Sequence, residues 1–212
     1  MTDKNDNPLS GKTVIFLGSS VTYGSASGGV SFADILKEED GIISVKEAVS
    51  GTTLADFDSS SYISRMKTVD SGIKADAFIC QLSTNDASQK IPLGEISDSS
   101  DENSFDTKTV AGAIEYIICH AKKTWSCPVI FYTGTKYDSE RYEKMVGLLT
   151  EIQKKHGNVL TYEQTDEKGP DHDKLFVFDV KLNGKVIGTG EGRSKKEAEQ
   201  AAAGAALENL KV

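Results

Sequence analysis

Histidine and cysteine are scarce in this chain, three of each in 212 residues, and proline occurs only four times. Cys80, Cys119 and Cys127 are an odd number without disulfide or zinc spacing, so reduced thiols in a cytosolic setting are expected. No apolar run approaches the roughly 18 residues that a membrane span needs. The N-terminal MTDKNDNPLSGK is polar, so the expectation is a soluble, cytoplasmic protein with no export signal and no membrane partner. Nothing resembles a phosphate loop or a metal-ligand spacing, and no cofactor is implied. Positive charge is also lacking, but unevenly. Residues 1–140 hold 12 Lys+Arg against 20 Asp+Glu, whereas residues 141–212 hold 12 against 12. An acidic front suits polyanions poorly, so any nucleic-acid contact belongs to the tail, where Arg193, Lys195 and Lys196 cluster.

What is present falls into two dissimilar parts. Up to residue 138, short apolar runs at Thr13–Leu17, Ile43–Val49, Ala77–Leu82 and Pro128–Thr133 read as buried parallel strands. Helical stretches at Phe32–Glu38, Tyr62–Lys67 and Thr107–Thr124 alternate with them, the pattern of an α/β parallel sheet. The ligand site of such a sheet lies beyond the carboxyl ends of its strands, and the polar clusters fall there. Glu95–Asp106, acidic and serine-rich, reads as a solvated loop.

Three of these clusters together resemble the SGNH (GDSL-like) hydrolase family, a flavodoxin-like α/β fold acting mostly on esters and acetyl groups. Gly18-Ser19-Ser20-Val21-Thr22-Tyr23-Gly24 matches its first block with serine in place of aspartate; Gly51 within Val49–Leu54 and Asn85 within Thr84-Asn85-Asp86 match two others. The resemblance implies Ser20 as nucleophile, with Gly51 and Asn85 helping to build an oxyanion hole, and a sheet ordered 2-1-3-4. A serine nucleophile also needs a base and an acid to orient it. The family supplies both from a late Asp-x-x-His block, and none is found: three residues before His120, His156 and His172 stand Ile117, Gln153 and Gly169.

Ser139–Gly157 follows, with Tyr142, Met145, Val146, Leu149 and Ile152 at helical spacing, Ser139 as N-cap and Gly157 as stop. Beyond it Val159–Thr165, Lys174–Leu182 and Lys185–Glu191 read as strands, the last two joined by Asn183-Gly184, a strong hairpin signal. Ser194–Leu210 is an alanine-rich helix, with Ser194 and Glu197 at capping-box spacing. This order, with Gly169-Pro170-Asp171-His172, Gly188–Gly192 and Arg193–Ala202, resembles the double-stranded RNA-binding domain at the C-terminus of bacterial ribonuclease III. That resemblance implies contacts to two minor grooves and the phosphates between them. Its site residues here are Thr150 and Glu151 on the first helix, Gly169, Pro170 and His172 in a loop, and Arg193, Ser194, Lys195 and Lys196 at the last helix. No nuclease signature accompanies it.

The expected organisation is therefore an incomplete hydrolase-like domain over 1–138 and an RNA-binding domain over 139–212, sharing the helix 139–157, as in a recombined or engineered chimera. Its expected activity is non-sequence-specific double-stranded RNA binding. The alternative is a serine esterase using Ser20 on a small ester, its base supplied by His172 with Asp171 or Asp173. A further expectation is that Val159–Thr165 pairs with both Pro128–Thr133 and Lys174–Leu182, giving one continuous mixed sheet.

Overall fold

A computed structural model of the chain describes residues 7–133, 139–156, 160–170, 174–182 and 184–209. It divides into two compact units, residues 1–152 and 153–212.

The first unit is an α/β sandwich around a parallel sheet. Strands β1 (Thr13–Gly18), β2 (Ile43–Ala48), β3 (Ala77–Leu82) and β4 (Val129–Thr133) are ordered β2-β1-β3-β4, as expected. All three ladders are parallel, with Ile15 opposite Val45 and Phe78, and Cys80 opposite Phe131. Apolar side chains on both faces of β1 explain the near-continuous hydrophobic text, because a parallel sheet is covered on both sides. Val14 and Phe16 pack with Ala33 of α2 (Phe32–Ile35) and with Ile42. Ile15 and Leu17 face the larger core, with Phe78, Cys80 and Leu82 of β3.

That larger core is closed by three helices. They are α3 (Tyr62–Met66), α5 (Val110–Trp125) and α6 (Glu140–Lys155). Thr109 caps α5 by accepting from Gly112 N at 3.2 Å, and Ser126 ends it in a left-handed conformation, φ 52°. The lone tryptophan, Trp125, stacks on Phe78 at 5.5 Å between centroids and donates to Asp70 O. Along α6, Tyr142, Met145, Leu149 and Ile152 are all buried in this core. The short helices α1 (Ser20–Tyr23) and α4 (Thr84–Ser88) start at the ends of β1 and β3. The acidic loop carries one 3₁₀ turn, Glu102–Ser104, whose Glu102 bonds His120 and Lys123.

The second unit holds an antiparallel sheet ordered β5-β6-β7, formed by β5 (Leu160–Lys168), β6 (Leu175–Leu182) and β7 (Lys185–Gly192). Helix α7 (Lys195–Asn209) lays Ala198, Ala202 and Ala206 on Phe178 and Val180. The fit needs three glycines on β7: a Cβ on Gly188 would stand 2.5 Å from Ala202 O, one on Gly192 2.5 Å from Ala198 N, and one on Gly190 would overlap the backbone of Ala202.

Among the described residues the expected continuous mixed sheet is absent: β5 pairs with β6 and β4 with β3, in two separate sheets. The reason is legible in β5, LTYEQTDEK, which lacks the two-sided apolar surface of a buried parallel strand; its residues from Thr161 to Lys168 are exposed. The expected Asn183 turn residue lies outside the described residues, as do Gly157, Asn158 and Val159.

Candidate active site and nucleic-acid interface

At the carboxyl ends of β1, β2 and β3, the three expected hydrolase residues are brought to one edge. Ser20 opens α1, directly after the buried Ser19. Gly51 sits in a turn at φ 84°, a left-handed conformation that suits glycine. Its segment is tied to the Ser20 turn by Val49 N donating to Gly18 O at 3.3 Å and Ser25 Oγ to Ser50 Oγ at 3.0 Å. Asn85 lies in α4 and its side-chain amide donates to Thr52 O at 2.8 Å, joining the second cluster to the third.

Beneath these residues lies a polar scaffold that the sequence alone did not single out. Gln81 Oε1 accepts from Ser19 N at 3.0 Å, Thr22 N at 3.3 Å and Thr22 Oγ1 at 2.9 Å, and so fixes the turn that presents Ser20. Arg65, largely buried, donates from Nη2 to Gly18 O at 2.9 Å and to Thr52 Oγ1 at 3.2 Å. Asp86 is fully buried and accepts from Leu54 N at 2.8 Å and Ala55 N at 3.2 Å, anchoring the loop that begins at Gly51 to the helix that carries Asn85. Burial pushes its carboxyl up to about 6 while those amide bonds pull the other way. The only prior signal for Asp86 was its adjacency to Asn85. Gln81 and Arg65 gave none, since Gln81 reaches Ser19 and Thr22, and Arg65 reaches Gly18, from far along the sequence.

Among the described residues, no histidine is bonded to Ser20. Ser20 Oγ has no hydrogen-bond partner among the described residues. His120 is engaged elsewhere, 3.3 Å from Glu102 Oε2 and stacked on Tyr116. The nearby Tyr132 phenol shares a 2.7 Å hydrogen bond with Thr22, and burial pushes it up to about 12, so it stays neutral near pH 7. His172, with Asp171 and Asp173, lies outside the described residues. No group of three or more His, Cys, Asp or Glu among the described residues could hold a metal.

The residues expected to meet RNA fall on several elements. Thr150 and Glu151 are on α6, where Thr150 Oγ1 donates back to Val146 O at 3.0 Å and Glu151 is exposed. Gly169, at φ 90°, and Pro170 follow β5 and are exposed. Arg193, Ser194, Lys195 and Lys196 are all exposed at the start of α7. The capping box forms as read: Ser194 Oγ accepts from Glu197 N at 3.2 Å, and the Glu197 carboxylate accepts from Ser194 N at 3.2 Å and Arg193 N at 3.0 Å. Lys195 Nζ stands over the Phe176 ring at 5.8 Å. The capped helix start thereby presents the exposed Lys195 and Lys196 ammonium groups, a charge suited to phosphate.

Comparison with known proteins finds two kinds of likeness, one in sequence and one in fold. Residues 145–210 match the family described as the double-stranded RNA binding motif. The chain is 42% identical over 109 residues to ribonuclease 3 of Carboxydothermus hydrogenoformans, an alignment covering 49% of this chain and 46% of that protein. It is 55% identical over 53 residues to ribonuclease 3 of Caldanaerobacter subterraneus, covering 25% and 23%. The chain thus spans less than half the length of these relatives. By fold it is similar to a GDSL-like lipase of Bacteroides ovatus, with a TM-score of 0.55, 18% identity and 95% and 97% of the two chains covered. A GDSL-like lipase of Bacteroides uniformis gives 0.53 and 19%, covering 69% and 80%. The chain therefore has a parallel α/β fold similar to those of these two proteins, and its residues 145–210 match the double-stranded RNA binding motif.

Proposed function

We propose that the chain's retained activity is binding of double-stranded RNA without sequence preference, carried by its C-terminal part, and that its hydrolase-like part is catalytically impaired. The observation that carries this is the motif over residues 145–210, with Arg193 to Lys196 exposed at a capped helix start. Gly169, Pro170 and His172 supply a groove-facing loop in this reading, and Thr150 and Glu151 a second contact. A gel shift with duplex RNA of about two turns tests it. Parent protein shifts the duplex in a salt-sensitive way, and Lys195→Glu/Lys196→Glu loses the shift; equal shifts by both would sink the proposal.

A second reading is favoured by the convergence of Ser20, Gly51 and Asn85: a serine esterase acting on a small ester with a base outside the hydrolase-like part. There the Ser20 hydroxyl gives its proton to that base as its oxygen attacks the carbonyl, and the Gly51 and Asn85 donors face the oxyanion. The ester C–O bond breaks to release the alcohol with that proton, and water then frees the acid from Ser20. Turnover of p-nitrophenyl acetate that disappears in Ser20→Ala supports it. Rates equal to buffer remove it. The pairing of an orphaned nucleophile with an unrelated binding motif is what recombination between two genes within a helix common to both would produce.

A further inference from the structure

Helix α6 has one apolar face. Tyr142, Met145, Leu149 and Ile152 recur at intervals of three and four, and all four are at most 5% exposed in the core of the first unit. Tyr142 adds a 3.0 Å hydrogen bond from its hydroxyl to Leu82 O. Glu143, Lys144, Gly147, Glu151 and Lys154 occupy the exposed side, so no second apolar face exists. Yet the RNA binding motif begins at Met145 and includes Leu149 and Ile152. The same three side chains are thus claimed by two folds.

The second unit shows where the other claim falls. Helix α7 packs on β6 and β7, through Phe178, Val180 and the three β7 glycines. Directly paired residues of an antiparallel ladder share a face. Tyr162 is opposite Val180 and Gln164 opposite Phe178, so both lie on α7's side of the sheet. Tyr162 is nevertheless 43% exposed, leaving the β5 strip of that face open.

We infer that α6 is a contested helix: its apolar face is held either by the first unit's core or by the β5 strip around Tyr162, and occupancy of one site empties the other. The structure holds the first arrangement. The second completes the RNA binding motif and sets Thr150 and Glu151 beside the loop and α7 contacts. Folding of the hydrolase-like unit and RNA affinity are then antagonistic, because the binding-competent fraction rises only as α6 leaves the first core.

Two substitutions in the full chain weaken the first claim without touching residues 145–210. Tyr142→Ala removes a buried ring and the bond to Leu82, and Ile117→Ala trims α5 within the same core. Amide exchange of peptides covering residues 160–182 is followed by mass spectrometry, and affinity for a duplex RNA of about two turns by anisotropy. Both variants should slow exchange in β5 and β6 and tighten RNA binding about tenfold for each tenfold shift of the helix equilibrium. Complete unfolding of the first unit frees α6 as well, so the expectation is unchanged. Exchange that is unaltered or faster in both variants overturns the inference. The affinity arm rests on the RNA-binding reading but the exchange arm does not: slowed exchange with no RNA bound by any form would support the contested helix and refute that reading.

Discussion

Asp86 offers a sharp test of the polar scaffold beneath the hydrolase-like site. Its carboxyl is fully buried, and burial lifts it from an ordinary 3.8 to about 6. Between those values the folded protein holds a proton that the unfolded chain releases. The first unit therefore loses stability as pH rises through this window, and the loss levels off above about pH 6. Two pH units correspond to about 3 kcal/mol. Asp34, held down to about 2 chiefly by its hydrogen bond from Lys46, titrates below the window and does not obscure it. Trp125 reports on the first unit alone, being the only tryptophan and packed on Phe78. Urea unfolding followed by its fluorescence, for parent protein and Asp86→Asn from pH 4 to 7, isolates the effect as a difference. The parent's advantage over Asp86→Asn should fall by about 2 kcal/mol between pH 4 and pH 6.5, since part of the change lies below pH 4. A difference that is flat, or that grows with pH, refutes the claim that desolvation dominates at Asp86.

Two further outcomes follow from packing and from buried donors. Gly190→Ala places a methyl in the backbone of Ala201 and Ala202 and 2.7 Å from Ala198 O, so α7 must lift from the sheet. A loss of about 1–3 kcal/mol or more in the second unit, read by exchange in β6 and β7, is expected; unchanged protection contradicts the packing. Gln81→Met keeps the volume but leaves the Ser19 and Thr22 amides without their acceptor. Each orphaned donor costs about 1–3 kcal/mol, so Trp125-detected unfolding should show at least the cost of one; a shift within about 0.5 kcal/mol would mean that the Gln81 contacts add nothing.

Local chemistry was the legible part of the sequence. The four apolar runs became β1 to β4 in the expected order, and the Ser194–Glu197 capping box closed as written. Periodicity marked α5 and α6 but not the short α1 and α4, and the expected Phe32–Glu38 helix splits into α2 and a π-helical turn at Leu36–Asp40 that Gly41 ends at φ 73°. Whatever depended on residues distant in sequence was hidden. Gln81 meets Ser19 and Thr22, Arg65 meets Gly18, and Asp86 meets Leu54 only after the sheet has formed. Glu115, fully buried in α5, receives Ser97 N at 3.0 Å from the acidic loop, and no spacing announces that contact. A helix ahead of β5 is compatible with a parallel crossover to β4, but β5 is too polar to be buried in a parallel sheet, and among the described residues it pairs with β6.

Recognition of A-form RNA by the C-terminal part is what we propose for this chain. The most direct measurement is anisotropy titration of the full chain with an RNA duplex of about two turns and with a DNA duplex of the same sequence, at two salt concentrations. RNA bound in preference to DNA, weakening with salt and lost in Lys195→Glu/Lys196→Glu, is the expected result. Equal affinity for both duplexes, or none for RNA, would contradict the account.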